Sequence, residues 1–196
     1  MPSSNHFPGC SAVLSQMRWP SHTVMNQQAA VQQWLPVSHR IIVIEYPNKE
    51  KTPMHKVLVP FDGSKHAMRA LGYVIELSGE LTKSLEVHIL NVQASPIDYS
   101  LYLAPDMIDG VKAGLTNEGK RVLADAVALL TAAGVPFQAH VDLGNVAEQV
   151  EAAVQRLDCD AVVMGTRGLG NVGGLLLGSV ATGVIHEASV PVTLIK

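Results

Sequence analysis

Five short apolar runs bounded by turn residues recur along the last three quarters of the chain: KVLVPF at 56–61, LEVHILNV at 85–92, PFQAHVDL at 136–143, CDAVVM at 159–164 and VPVTLI at 190–195. Their length and content predict buried β-strands. Between them, apolar residues return every three or four positions. The stripe Ala67, Ala70, Leu71, Val74 and Leu77 follows Asp62, Gly63 and Ser64, a turn that supplies a helix N-cap. A second helix runs to about Ala133, with Gly134 as its C-cap and Pro136 beyond, although Gly110, Gly114 and Gly119 weaken its first half. Asn145 and Glu148 resemble a capping box for a third helix carrying Val146, Val150, Val154 and Leu157, and a fourth spans about Ser179 to Glu187. Parallel neighbours need long, right-handed crossovers, so five strands separated by four helices predict a doubly wound α/β fold with helices on both faces of a parallel sheet. Such sheets bind ligands beyond the carboxyl ends of their strands, where the strand order reverses.

The pattern breaks before residue 54. Residues 1–53 hold both tryptophans and six of the eleven prolines, with no sustained period. RIIVIEY at 40–46 has strand composition, but Pro36, Pro47 and Pro53 surround it, and one short strand has no partner of its own. The domain is therefore expected over 54–196. Two readings of 1–53 stand: a largely disordered extension, or sequence upstream of a true start at Met54.

Composition removes several functions. With 196 residues, 47% hydrophobic and 16% charged, the chain can bury one good core. A net charge of -3, with no run of Lys or Arg, argues against binding nucleic acid or a membrane surface. The two cysteines, Cys10 and Cys159, form no CxxC and no metal spacing. The early apolar run Ile41 to Ile44 is far too short to cross a bilayer. A reducing cytoplasm is the expected location.

The most unusual stretch is GTRGLGNVGGLLLGS at 165–179, six glycines with one cation and no acid between an apolar strand and a helix. A Walker A loop would end in Gly-Lys-Ser/Thr, but here the ending is Leu177-Gly178-Ser179, without the lysine. GLGNVG at 168–173 matches G-x-G-x-x-G, yet it follows the fourth strand rather than the first, and no acid closes the next strand. Gly165, Gly168 and Gly178, with Ser179 opening a helix, suit an anion cradle. Glycines let the backbone turn and approach a phosphate, and the helix start carries partial positive charge. The other reading is a long connection that holds nothing. Arg167 reaches a phosphate in the first reading and is merely solvated in the second.

From Met54 to the carboxyl terminus the chain resembles the universal stress protein family. Three parts carry the resemblance: VPFDGS closing the first strand of the domain, Gly165-x-x-Gly168-x9-Gly178-Ser179, and the ending GSVATGVIHEASVPVTLIK. The resemblance implies strands ordered 3-2-1-4-5, a homodimer paired through the last strand, and ATP bound with Mg2+ or Mn2+. It implies that Pro60 and Asp62, in the turn with Gly63 and Ser64, line the adenosine end, and that Val92 meets adenine. It places Met164, Gly165 and Gly168 at ribose and phosphate, and gives the phosphates to Gly178, Ser179 and Val180. Phe61 is bulkier than the family pattern, and alternation would turn it into the core. Residues 1–53 have no counterpart in the family.

Other tempting residues carry less. Cys159 has no basic neighbour in sequence and is expected to be a quiet, packed thiol. His66, His88, His140 and His186 are scattered, each read as solvated or satisfied. Hydrolysis needs an oriented water and concentrated positive charge. With one arginine and no obvious base, an ATP-binding stress-response or regulatory module is favoured over its alternative, a slow ATPase or nucleotidyl-transfer enzyme. A nucleotide-free dimeric scaffold is the third possibility.

Overall fold

The computed structural model describes residues 41–44, 55–94, 105–170 and 177–196. The elements are β1 Ile41–Ile44, β2 Lys56–Pro60, α1 Lys65–Glu80, β3 Glu86–Gln93, α2 Pro105–Ala133, β4 Phe137–Leu143, α3 Val146–Leu157, β5 Ala161–Gly165, α4 Ser179–Glu187 and β6 Val192–Ile195. The sheet runs β1-β6-β5-β2-β3-β4. Its five later strands are parallel and have the expected order 3-2-1-4-5, counted from β2 and read from the β4 edge.

Side-chain alternation along the strands divides the core into two layers. Val57, Val59, Val87 and Ile89 face α1 and α2, meeting Leu71, Val74, Leu123 and Leu130. Leu58, Leu90, Val162 and Leu194 face α3 and α4, meeting Val150, Val154, Ala181 and Val184. Burying each such side chain stabilises the fold by about 1.5–3 kcal/mol before entropy is subtracted. Phe61 joins the α1–α2 layer, as its alternation predicts.

Gly119 explains why a glycine sits inside α2. A Cβ there would lie 2.5 Å from Cγ1 of Val141 and 3.0 Å from Oδ1 of Asn91, so the helix crosses the sheet too closely for any side chain. What reads in sequence as a weak helix position is a point of close approach.

β1 gives the strand-like run RIIVIEY the partner that the sequence did not show. Ile41–Ile44 pairs antiparallel along the whole of β6, in the register Ile41↔Ile195, Ile42↔Leu194, Val43↔Thr193 and Ile44↔Val192. It belongs to the same compact unit as the α/β domain. The partner was invisible because it lies at the other end of the chain. Residues 1–40 and 45–54, including the candidate start Met54, lie outside the described residues.

Candidate functional site

β2 and β5 are adjacent, with Val57 opposite Ala161 and Leu58 opposite Val162. Their outgoing connections lead to helices on opposite faces, α1 in one core layer and α4 in the other. A crevice opens at this reversal, as doubly wound sheets dictate. It encloses about 320 Å³ and is lined by Pro60, Asp62, Val92, Met164, Gly165, Arg167, Gly168, Gly178, Ser179 and Val180. Ten of the twelve residues expected at the site therefore meet in one place.

The other two lie behind it. Ser64 is buried, and its hydroxyl accepts the Ala67 N–H at 3.1 Å, so it serves as the α1 cap. Gly63 has φ +78°, the left-handed turn conformation that favours glycine, and its missing side chain would face Val122. Both shape the turn that presents Asp62, whose Oδ1 accepts the Ser64 N–H at 2.9 Å.

The glycines at 165, 168 and 178 have a packing role that the sequence did not show. None of Gly165, Gly168 and Gly178 has positive φ. Their contribution is room. A Cβ on Gly165 would lie 2.7 Å from the backbone carbon of His66, and one on Gly168 would lie 2.5 Å from Oδ2 of Asp62. The first lets α1 press on the end of β5; the second lets the loop lie over the Asp62 carboxylate. Gly178 donates its N–H to the Thr166 carbonyl at 2.8 Å, closing the base of the loop, while the Thr166 N–H reaches the Ile195 carbonyl at 3.0 Å. Residues 171–176, the middle of the loop, lie outside the described residues.

Two features escaped the sequence reading. Asn91, buried in β3, donates from Nδ2 to the Phe61 carbonyl at 2.8 Å and accepts from Gln93 at 2.8 Å, fixing the end of β2 where the crevice begins. The only signal was a polar residue inside the apolar run HILNV. Val146, Leu169 and Leu177 add apolar wall. Leu169 is 75% exposed at the mouth, a hydrophobic surface beside polar backbone.

The start of α4 is the site's chief electrostatic feature. The first turn of any helix leaves N–H groups without intrahelical partners and carries partial positive charge. α1 closes its start with Ser64, and α3 closes its own with Asn145, whose Oδ1 accepts from the N–H groups of Ala147 at 2.9 Å and Glu148 at 3.4 Å. α4 begins at Gly178, which has no side chain and makes no side-chain cap bond, and its first turn holds no acid. Ser179 is exposed there. Nearby, partial burial, Arg69 and Arg167 together lower the His66 pKa against the opposing pull of Asp62. The imidazole is neutral at neutral pH.

The remaining candidates stand apart from the crevice. Cys159 is buried, and desolvation pushes its thiol up to about 11, which leaves it unreactive as expected. His88 is also buried. Its Nδ1 lies 3.1 Å from Nε2 of His140, and its Nε2 lies 3.4 Å from Oε1 of Glu86. Among the described residues, no group of three or more His, Cys, Asp or Glu could hold a metal, and no helix is long and apolar enough to cross a membrane.

A five-stranded parallel sheet with a glycine-bordered crevice at its switch point defines a doubly wound α/β architecture. The model of the universal stress protein family matches residues 53–196, and the chain belongs to that family. It is 34% identical over 142 residues to a universal stress protein of Thermus aquaticus, covering 71% of this chain and 97% of that one. Among solved structures, the hypothetical protein MJ0577 superposes with a TM-score of 0.64 at 27% identity, covering 73% of this chain and 96% of the other. A universal stress protein in complex with cAMP superposes with a TM-score of 0.51 at 20% identity, over 73% of this chain and 97% of the other. A family protein of Arabidopsis thaliana with AMP bound gives 0.50 at 19%, over 71% and 90%.

Proposed function

We propose that the crevice binds an adenine nucleotide, ATP with Mg2+ or Mn2+, and that the protein is a stress-response regulatory module that holds the nucleotide rather than turning it over rapidly. The observation that carries this reading is the open start of α4 facing the crevice, at the sheet end where α1 and α3 are both capped. An anion with several oxygens is the partner such a start lacks. Ser179 adds a hydroxyl beside it. Gly178 contributes by having no side chain, its own N–H being given to Thr166. Pro60, Val92 and Val146 supply apolar lining suited to a base, and Asp62, beside Gly168, is the residue proposed for ribose or adenine.

Residues 54–196 carry ten Lys and Arg against fifteen Asp and Glu, so long-range charge opposes a triphosphate. Local N–H donors and a divalent cation must overcome it. Among the described lining residues Asp62 is the one carboxylate, a donor set that fits a cation held mainly by phosphate oxygens and water. That cation would neutralise phosphate charge. The ligands of the cAMP and AMP complexes support an adenine nucleotide in this crevice. The cytoplasm is the proposed location, and two copies are proposed to pair through β6 when β1, which covers it here, is displaced.

The test is mass spectrometry of ligand released from purified protein, together with thermal denaturation in ATP, AMP and cAMP. At about 100 times its Kd, a ligand stabilises the fold by roughly 2.7 kcal/mol, which raises the melting temperature of a domain this size by about 8 °C. No shift with any of the three, and no released nucleotide, would refute the proposal. Phosphate release at several turnovers per second would transfer it to the enzyme class.

A further inference from the structure

We infer that β1 is a detachable cover of the β6 edge and competes with a second copy of this chain for that edge, so that the segment before the domain sets its oligomeric state. This rests on the proposed pairing through β6 and says what controls it. A bare strand edge offers a row of N–H and C=O groups to any strand that can pair with it. In this chain β1 pairs opposite every residue of β6, from Val192 to Ile195.

The cover has the form of the partner it excludes. A two-fold axis relating two copies makes their contact isologous and sets β6 antiparallel to its equivalent. β1 is also antiparallel to β6, and it is the only antiparallel strand among the described residues. Read from amino to carboxyl end, Ile41, Ile42, Val43 and Ile44 take the places that Val192, Thr193, Leu194 and Ile195 of a second copy would take. Both are four-residue strands of mainly branched residues, the composition that pairs well in sheets. One edge cannot hold both.

The chain's connectivity permits the cover in cis. Ile44 lies opposite the first residue of β6, at the end of the sheet where β2 begins, and β1 and β2 are three sheet positions apart. That separation is about 14 Å at the usual strand spacing, and the eleven residues 45–55 can reach about 36 Å. A short tether gives a local concentration on the order of millimolar, so at micromolar protein β1 has an advantage of roughly 1,000-fold over a second copy. A four-residue strand is nonetheless small enough to be displaced by whatever binds or cuts the preceding segment.

The experiment uses the full chain. Proline removes a ladder N–H, and substituting both Ile42 and Val43 does so whichever of the two faces β6. Sedimentation equilibrium at micromolar concentration should show the wild type as a monomer and Ile42→Pro/Val43→Pro as a dimer. Amide exchange at Val192–Ile195 should remain slow in both, protected by β1 in one and by the second copy in the other. Should the proline variant fold poorly, replacing 40–45 by Gly and Ser at equal length carries the same expectation. If wild type and variant are both dimers of equal affinity, the cover is overturned while pairing through the last strand survives. If both remain monomers at high micromolar concentration, the cover and the proposed β6 pairing fall together. Neither result bears on nucleotide binding.

Discussion

Helices α3 and α4 begin at the same end of the sheet and both border the crevice, yet their first turns are closed in opposite ways. α3 supplies its own closure, because Asn145 stands before it and accepts two of its N–H groups. α4 has Gly178 in the same place and no side-chain cap. A polar residue there would stabilise the isolated domain by roughly a few tenths of a kcal/mol, since glycine is itself a tolerable cap. The chain forgoes this at a helix start bordered by Gly165, Gly168 and Gly178, which put no side chain against His66, Asp62 and Arg167. The difference teaches where to look for a ligand: at the helix start left open beside glycines that leave room.

The contrast can be broken most severely at Gly165. Gly165→Val puts branched carbons where the His66 backbone already stands, within 2.9 Å. Overpacking of this kind costs about 3 kcal/mol, or on the order of 10 °C in melting temperature, and should also remove nucleotide binding by displacing β5 from α1. Thermal denaturation checks the first and calorimetric titration the second.

The next change makes α4 resemble α3. Gly178→Asp brings its Cβ only to ordinary contact, 3.4 Å from the Arg167 Cα, and offers the first turn a carboxylate. Losing hydrogen bonds to a charged phosphate costs about 1.5–3 kcal/mol, so affinity should fall by roughly 10- to 100-fold. The ligand-free protein should melt no lower than wild type. A variant that binds ATP as well as wild type would show that the open start of α4 is unrelated to binding.

The reverse experiment is Asn145→Ala. It should lower stability by about 1 kcal/mol, about 3 °C in melting temperature, and leave nucleotide affinity unchanged. Ser179→Ala, which removes a hydroxyl but no backbone donor, should weaken binding by about fivefold, about 1 kcal/mol. An effect of Asn145→Ala on affinity as large as that of Gly178→Asp would erase the distinction between the two helices.

A smaller effect belongs to His88 and His140, on the α3–α4 face of the sheet. Burial lowers the pKa of His88 and of His140, with like charges adding to it and the carboxylates of Glu86 and Asp142 opposing it. A histidine whose folded pKa lies below its unfolded one contributes stability that is present above the ordinary value and lost as pH falls through the folded value. The urea midpoint should therefore decline as pH falls from neutrality through the ordinary histidine value and below it, and His140→Gln should lessen the decline. A midpoint that stays flat or rises on acidification would contradict the pairing.

What was readable in the sequence followed from periodicity and local chemistry. The runs of strand residues and the stripe Ala67 to Leu77 reported position in the core, because burial imposes periods of about two and 3.6 along one chain. The capping residues Ser64 and Asn145 announced themselves through neighbours within three positions. What failed to show depended on pairs far apart. β1 needed β6, some 150 residues later. Asn91 is unremarkable until the Phe61 carbonyl stands beside it. The glycine loop was legible as a place where backbone turns and a ligand approaches without a Cβ in the way, but that Gly165 and Gly168 also make space for His66 and Asp62 only the packed structure supplies.

The most direct test of the central claim is to follow individual backbone N–H groups by NMR while magnesium ATP is added to the full chain. The amides of Ser179 and Val180, in the open first turn of α4, should shift strongly and saturably, while those of Ala147 and Glu148, already held by Asn145, should barely move. Saturation that leaves Ser179 and Val180 unchanged, or moves the two helix starts equally, would contradict the claim that α4 is the phosphate-receiving end of the crevice.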